Sequence, residues 1–138
     1  MIYVVIQFGC IIYLVINAQF GHLSTLSTAL IVFSIAIGII SVVNMKLNNL
    51  NIVPTLKDQH QLVTHGIYRF IRHPMYTSVL LFCLALTLTI AGNQAIIILL
   101  ILLIDLILKS NVEEKLLSER FKNYPNYKNK TGRFLPFL

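Results

Sequence analysis

The chain has 138 residues, of which 57% are hydrophobic and only 12% charged, with a net charge of +6. Soluble domains carry about 25% charged residues, so this composition excludes an ordinary water-soluble domain and points to the bilayer. Nucleic-acid binding, the other reading of a basic chain, is excluded because the positive charge flanks apolar runs and forms no basic, aromatic-interleaved surface.

Four apolar segments follow one another, and one domain of this length holds them all. The first spans residues 2–20 and the second 23–43, and no Asp, Glu, Lys or Arg occurs before residue 46. With no basic residue ahead of the first run, no cleaved leader is expected. Both fit the roughly 17–25 residues of a membrane-spanning helix. The third, 75–91, and the fourth, from Gln94 to Leu108, sit at the short end and extend through amphipathic flanks. Phe20-Gly21-His22 and Gly92-Asn93-Gln94 are tight turns. The expected fold is therefore all-α and membrane-integral, with about four transmembrane helices in two hairpins (the first over 1–45) and a helical, aromatic C-terminal tail. Cys10 and Cys83 lie inside apolar runs and read as small fillers.

All eleven basic residues fall in the polar connection near 44–73 and in the tail from Lys109 onward, and the short turns carry none. The positive-inside rule then puts both termini and the long connection in the cytoplasm.

One stretch departs from the apolar background: "HGIYRFIRHPMYTS", residues 65–78. Pro74 suits the first turn of a helix, where its missing N–H costs nothing. The third helix should begin at His73-Pro74, with its positive dipole end at the cytoplasmic face. Counting around the Gly92-Asn93 turn, residue 74 lies level with about residue 111. The segment "KSNVEEKLLSERF" (109–121) reads as a continuation of the fourth helix. Glu113 and Glu114 are thereby expected beside Arg72, His73 and Tyr76 in one pocket. Asp105 is an acidic residue inside the fourth run, a functional hypothesis by default, yet it lies four residues before Lys109 and an i,i+4 pair can satisfy it. His60, His65 and His73 have spacings that match no zinc pattern, so no metal is expected.

These residues resemble the isoprenylcysteine carboxyl methyltransferase family and its relatives among the integral-membrane phospholipid methyltransferases. Gly66, Tyr68, Arg72, His73, Pro74 and Tyr76 match the first block of the family pattern. Glu113, Glu114 and Leu116 match the second. Phe121, Tyr124, Tyr127, Arg133 and Pro136 resemble the aromatic tail. The similarity covers about 54–138, the expected cofactor-binding core, and Ser78 stands where the family has Gly. The resemblance implies methyl transfer from S-adenosylmethionine to a lipid-like or isoprenylcysteine-type acceptor that enters from the bilayer, as in carboxyl methylation. It implies cofactor contacts from Tyr68, His73, Pro74, Tyr76, Glu113 and Glu114. Arg72, His73 and Arg133 are its catalytic candidates, and Tyr124, Tyr127 and Arg133 its substrate contacts. Tyr124-Pro125-Asn126-Tyr127 itself reads as a turn with aromatic flanks. The residues themselves leave the nucleophile open: a carboxylate, thiol, phospholipid amine or hydroxyl. A non-catalytic membrane scaffold with the same hairpin is the rival, and a transporter would need more midplane polar residues than Asp105 provides.

Overall fold

The computed structural model describes all of residues 1–138. Its architecture is all-helical: α1 (Ile2–Asn17), α2 (Thr25–Met45), α3 (Pro74–Thr87), α4 (Gln94–Arg120) and α5 (Tyr124–Lys130). Ser24 caps α2 by accepting a hydrogen bond from the Ser27 amide at 3.1 Å, and Pro74 opens α3 as its position in the sequence requires. The expected continuation of the fourth helix is present, since α4 runs unbroken through Glu113 and Glu114. The third run is shorter than its apolar length, with regular helix ending at Thr87.

At a rise of about 1.5 Å per residue, α2 and α4 are roughly 31 and 40 Å long and α1 and α3 only about 24 and 21 Å. Two helices are thus long and apolar enough to cross a membrane by themselves. The exposed surface has the character of a lipid-facing one. Val5, Phe8, Ile12, Phe33, Ile97 and Ile104 point outward, whereas Gln7, Ser27, Ser34, Ser41, Asp105 and Lys109 are buried. Apolar outside and small or polar inside is the arrangement that packs helices in hydrocarbon.

The tight joint between α1 and α2 does not produce a packed pair. α2 lies along α3, and α1 lies along α4. Small residues explain the first contact: Ser27, Ser34 and Ser41 recur every seven positions on α2 and are at most 1% exposed. They let the backbones approach. The Ser78 hydroxyl donates to the Ser34 carbonyl at 2.7 Å and sits where a Cβ on Gly38 would come within 2.9 Å. Ser78, the departure from the family pattern, thus serves helix packing. Cys10 and Leu14 of α1 join Cys83, Leu86, Leu102 and Leu106 in the apolar core, with both cysteines free.

Lys109 of α4 meets Gln7 near the start of α1, and Gln94 at the other end of α4 meets Tyr13. Tyr68 reaches Ser41 near the end of α2. The connection between α2 and α3 and the C-terminal tail therefore share one end of the bundle, and the two tight turns share the other.

Two expectations in the tail and in α4 are corrected. Tyr124–Tyr127 is not a turn but the opening of α5, with Pro125 in its first turn where no amide is needed. Asp105 and Lys109 form no ion pair: Lys109 Nζ donates to Gln7 Oε1 at 2.8 Å, and both Asp105 oxygens lack a partner.

Gly66 adopts a φ of +62°, and a Cβ there would fall 1.7 Å from Asn44 Oδ1, the atom that accepts the Ile67 amide at 2.9 Å. Gly66→Ala is expected to cost about 1–2 kcal/mol from the left-handed backbone and more from the displaced Asn44. The loss appears as a lower Tm in detergent, and an unchanged Tm would contradict this contact.

Candidate functional site

The site is built where α3 begins and α4 projects beyond its apolar run. The chain approaches it through a 3-10 turn, Gly66–Arg69, and is then clamped by the C-terminal segment. Ile71 and Gly132 form a parallel bridge. The Arg72 amide donates to the Gly132 carbonyl at 2.8 Å, the His73 amide to the Arg133 carbonyl at 3.0 Å, and the Gly132 amide to the Phe70 carbonyl at 3.0 Å. Thr77 Oγ1 fastens the next residue of the tail by donating to the Phe134 carbonyl at 2.6 Å.

Into this frame α4 brings two adjacent carboxylates with different surroundings. Glu114 is 3% exposed. Its Oε1 accepts from Arg72 Nε at 2.8 Å and lies 3.1 Å from His73 Nε2. Its Oε2 is 3.0 Å from Lys128 Nζ and 3.7 Å from Arg133 Nη2. Arg72 also donates to the carbonyls of Lys128 and Thr131. Burial pushes the Glu114 carboxyl up, but hydrogen bonds from His73, Arg72 and Lys128 outweigh it and hold the group well below the usual carboxylate range.

Glu113 is the opposite case. It accepts the Tyr76 hydroxyl at 2.5 Å, and its Oε2 lies 3.5 Å from His73 Nδ1. Burial raises this carboxyl above its ordinary value, against the pull of His73, Tyr76 and Lys109. The His73 ring thus has one nitrogen toward each carboxylate. It stacks on Tyr76 with planes 2° apart and centroids at 5.4 Å, and Phe134 meets both rings edge-on.

A cleft of ≈ 110 Å³ opens beside this cluster. Tyr68, Arg72, His73, Pro74, Tyr76 and Glu113 line it, so the expected juxtaposition of the two motifs is present. The opposite wall comes from the connection between α2 and α3, including Asn49, Val53, Leu56 and His60. That segment is tied to the end of α4, where Arg120 donates to the carbonyls of Lys57 and Asp58. His60 packs against Phe121, with its buried Nδ1 unpartnered.

Glu114, expected in the same pocket, lies behind the lining among its cations, and the tail candidates also stand apart from it. Tyr124 is 1% exposed and packs edge-on against Tyr127. Tyr127 donates to the Tyr68 carbonyl at 2.6 Å. Arg133 lies on Glu114. These three tie the tail behind the cluster. Sequence reasoning missed Lys128, and it weighed His60 only as a metal ligand, not as part of the cleft wall. Lys128 lies one helical turn after Tyr124, a spacing that becomes informative once α5 is known to be a helix.

Replacing Glu114 with Gln removes the partner of three cationic side chains. Breaking a buried pair in this way costs about 3–5 kcal/mol, read as a fall in unfolding free energy in detergent at neutral pH. Because its folded pKa is depressed, the Glu114 contribution is full above the unfolded value of about 4.3 and disappears as pH falls through the folded value. The wild type should therefore lose its advantage over Glu114→Gln only in acid. A variant as stable as the wild type at pH 7 would contradict the account.

Residues 23–124 match the family model described as phospholipid methyltransferase. Over 84 residues the chain is 29% identical to two proteins named probable protein-S-isoprenylcysteine O-methyltransferase, from Oryza sativa subsp. indica and subsp. japonica. The match covers 59% of this chain and 44% of each of those proteins, so the chain matches less than half the length of these curated relatives.

Proposed function

The chain belongs to the phospholipid methyltransferase family, and on that premise we propose that it transfers a methyl group from S-adenosylmethionine to a lipid-like or isoprenylcysteine-type acceptor drawn from the bilayer. The observation that carries this reading is the cleft itself, where His73, Tyr76 and Glu113 converge at the polar end of an otherwise apolar bundle.

The lining suits such a cofactor. Glu113 offers acceptor oxygens to ribose hydroxyls or an ammonium, Tyr68 offers an aromatic ring, and Val53, Leu56 and Leu117 offer apolar walls. The unpartnered His60 Nδ1 is a further polar group without a protein contact. The cleft is smaller than the roughly 300–1,000 Å³ of ligand pockets. Entry on this reading therefore requires the connection between α2 and α3 to move outward from the end of α4.

When bound, the cofactor supplies an electrophilic methyl on a sulfonium. The chain's own residues align and enclose the reaction. In this division of labour Glu113 faces the cofactor, and Glu114 orders Arg72 and His73 from behind. Arg72 is spent on Glu114 and two carbonyls, so it positions the backbone of the motif. Arg133 and the tail tyrosines hold the cluster from behind, with Arg133 on Glu114 rather than in the cleft.

The same reading makes all four long helices membrane-crossing, with α1 and α3 completing their spans through flanking residues. Ten of the eleven basic residues belong to the segments at or beyond the site end, and Lys109 lies just beneath it, which supports a multi-pass protein with both termini and the cleft on the cytoplasmic side.

The test is incubation of purified protein with methyl-labelled S-adenosylmethionine and a total membrane lipid extract. Label should pass into the organic phase, and Glu113→Ala should reduce the rate at least about tenfold, the lower bound for losing a hydrogen bond to a charged group. A folded, helical wild type that transfers no label to lipid and binds no cofactor would contradict the proposal.

A further inference from the structure

Three buried polar side chains lie just beneath the site, and none of them lines the cleft. Lys109 is 2% exposed, Asp105 4% and Gln7 8%. Lys109 Nζ is held by Gln7 Oε1 at 2.8 Å and stands 5.0 Å from the centroid of the Tyr76 ring. Tyr76 lines the cleft and donates to Glu113. Lys109 is therefore a charge set behind a wall of the proposed cofactor site. No carboxylate is in ion-pair contact with it: Asp105 and Glu113 flank it one turn to either side on α4 and act on it only at longer range, and both Asp105 oxygens lack a hydrogen-bond partner. An unpaired ammonium in a water-excluded place is costly, and ordinary helix packing does not require one there. Its support comes from α1, which lies outside the residues that match the family model.

We propose that Lys109 is a positioning residue that acts electrostatically, through Tyr76, on the charge of the bound methyl donor. This inference rests on the methyl-donor reading above. Methyl transfer breaks the sulfur–methyl bond with its electron pair left on sulfur, while the acceptor's lone pair forms the new bond. A cationic sulfonium thus becomes a neutral thioether. A fixed cation behind the site disfavours the charged ground state more than the transition state, in which the charge is leaving, and so speeds transfer. Gln7 and the aromatic face of Tyr76 hold the ammonium in place. α1 thereby becomes part of the catalytic apparatus rather than an anchor.

The proposal has a binding readout independent of turnover. S-adenosylmethionine and S-adenosylhomocysteine differ at the reacting sulfur by a methyl group and a positive charge, and each is titrated calorimetrically into the detergent-solubilised full chain. At an effective dielectric constant of about 20, a unit charge some 10 Å away alters a cation's affinity roughly tenfold. Lys109→Met and Lys109→Gln should each lower the ratio of the two dissociation constants, sulfonium over thioether, about fivefold or more, and Lys109→Arg should leave it within about twofold. A purely structural role moves both constants together and leaves the ratio unchanged, and that result overturns the proposal. A wild type that binds neither compound removes the methyl-donor reading itself, and this inference with it.

Discussion

The organisation of the site depends on the buried carboxylate of Glu114. One oxygen serves Arg72 and His73, and the other faces Lys128 and Arg133. These four groups come from the approach to α3, from α5 and from the segment after it, so a single side chain on α4 gathers three separate pieces of chain. A lone carboxylate in such a place would be expelled or protonated. Surrounded by cations, it stays ionised and fixes them in turn. The backbone pairing of 70–73 with 132–133 follows from the same gathering. Glu113, one residue earlier, points to the other side and is left with a tyrosine, one histidine nitrogen and the cleft. Adjacent glutamates on one helix thus acquire different surroundings: one is buried among cations and the other faces the cleft.

Much of this was legible in the sequence because the bilayer restricts the options. A chain with apolar runs near membrane length and tight turns between them has few ways to fold. Pro74 fixes where α3 begins, and counting around Gly92 brings residues 113–114 level with residues 72–76. That register follows from helix geometry alone and needs no knowledge of side-chain packing. The pairing of the helices was less accessible. Apolar runs look alike, and only the seven-residue recurrence of serines on α2 marks the face that meets α3.

The tail resisted reading for a different reason. Pro125 suggests a turn as readily as a first helical turn, and the tertiary clamp on 131–134 decides between them. Lys128 seemed one basic residue among many, since its value comes from a carboxylate fourteen positions earlier. The Asp105–Lys109 spacing satisfied a sound local rule, yet Gln7, about a hundred residues away, takes the ammonium instead. Local spacing indicates which groups can meet, and long-range packing selects which do. Ser78 illustrates the same limit: its departure from the family pattern serves the contact with Ser34 and Gly38 on α2.

The central claim is that the methyl donor lies between the α2–α3 connection and the face formed by His73, Tyr76 and Glu113. The most direct test is ultraviolet cross-linking of methyl-labelled S-adenosylmethionine to the purified chain, followed by peptide mapping. The account places the label in residues 49–60 and 68–76, with excess unlabelled cofactor suppressing it. Label confined to the apolar part of α4, or to the tight turns at the opposite end of the bundle, would contradict it.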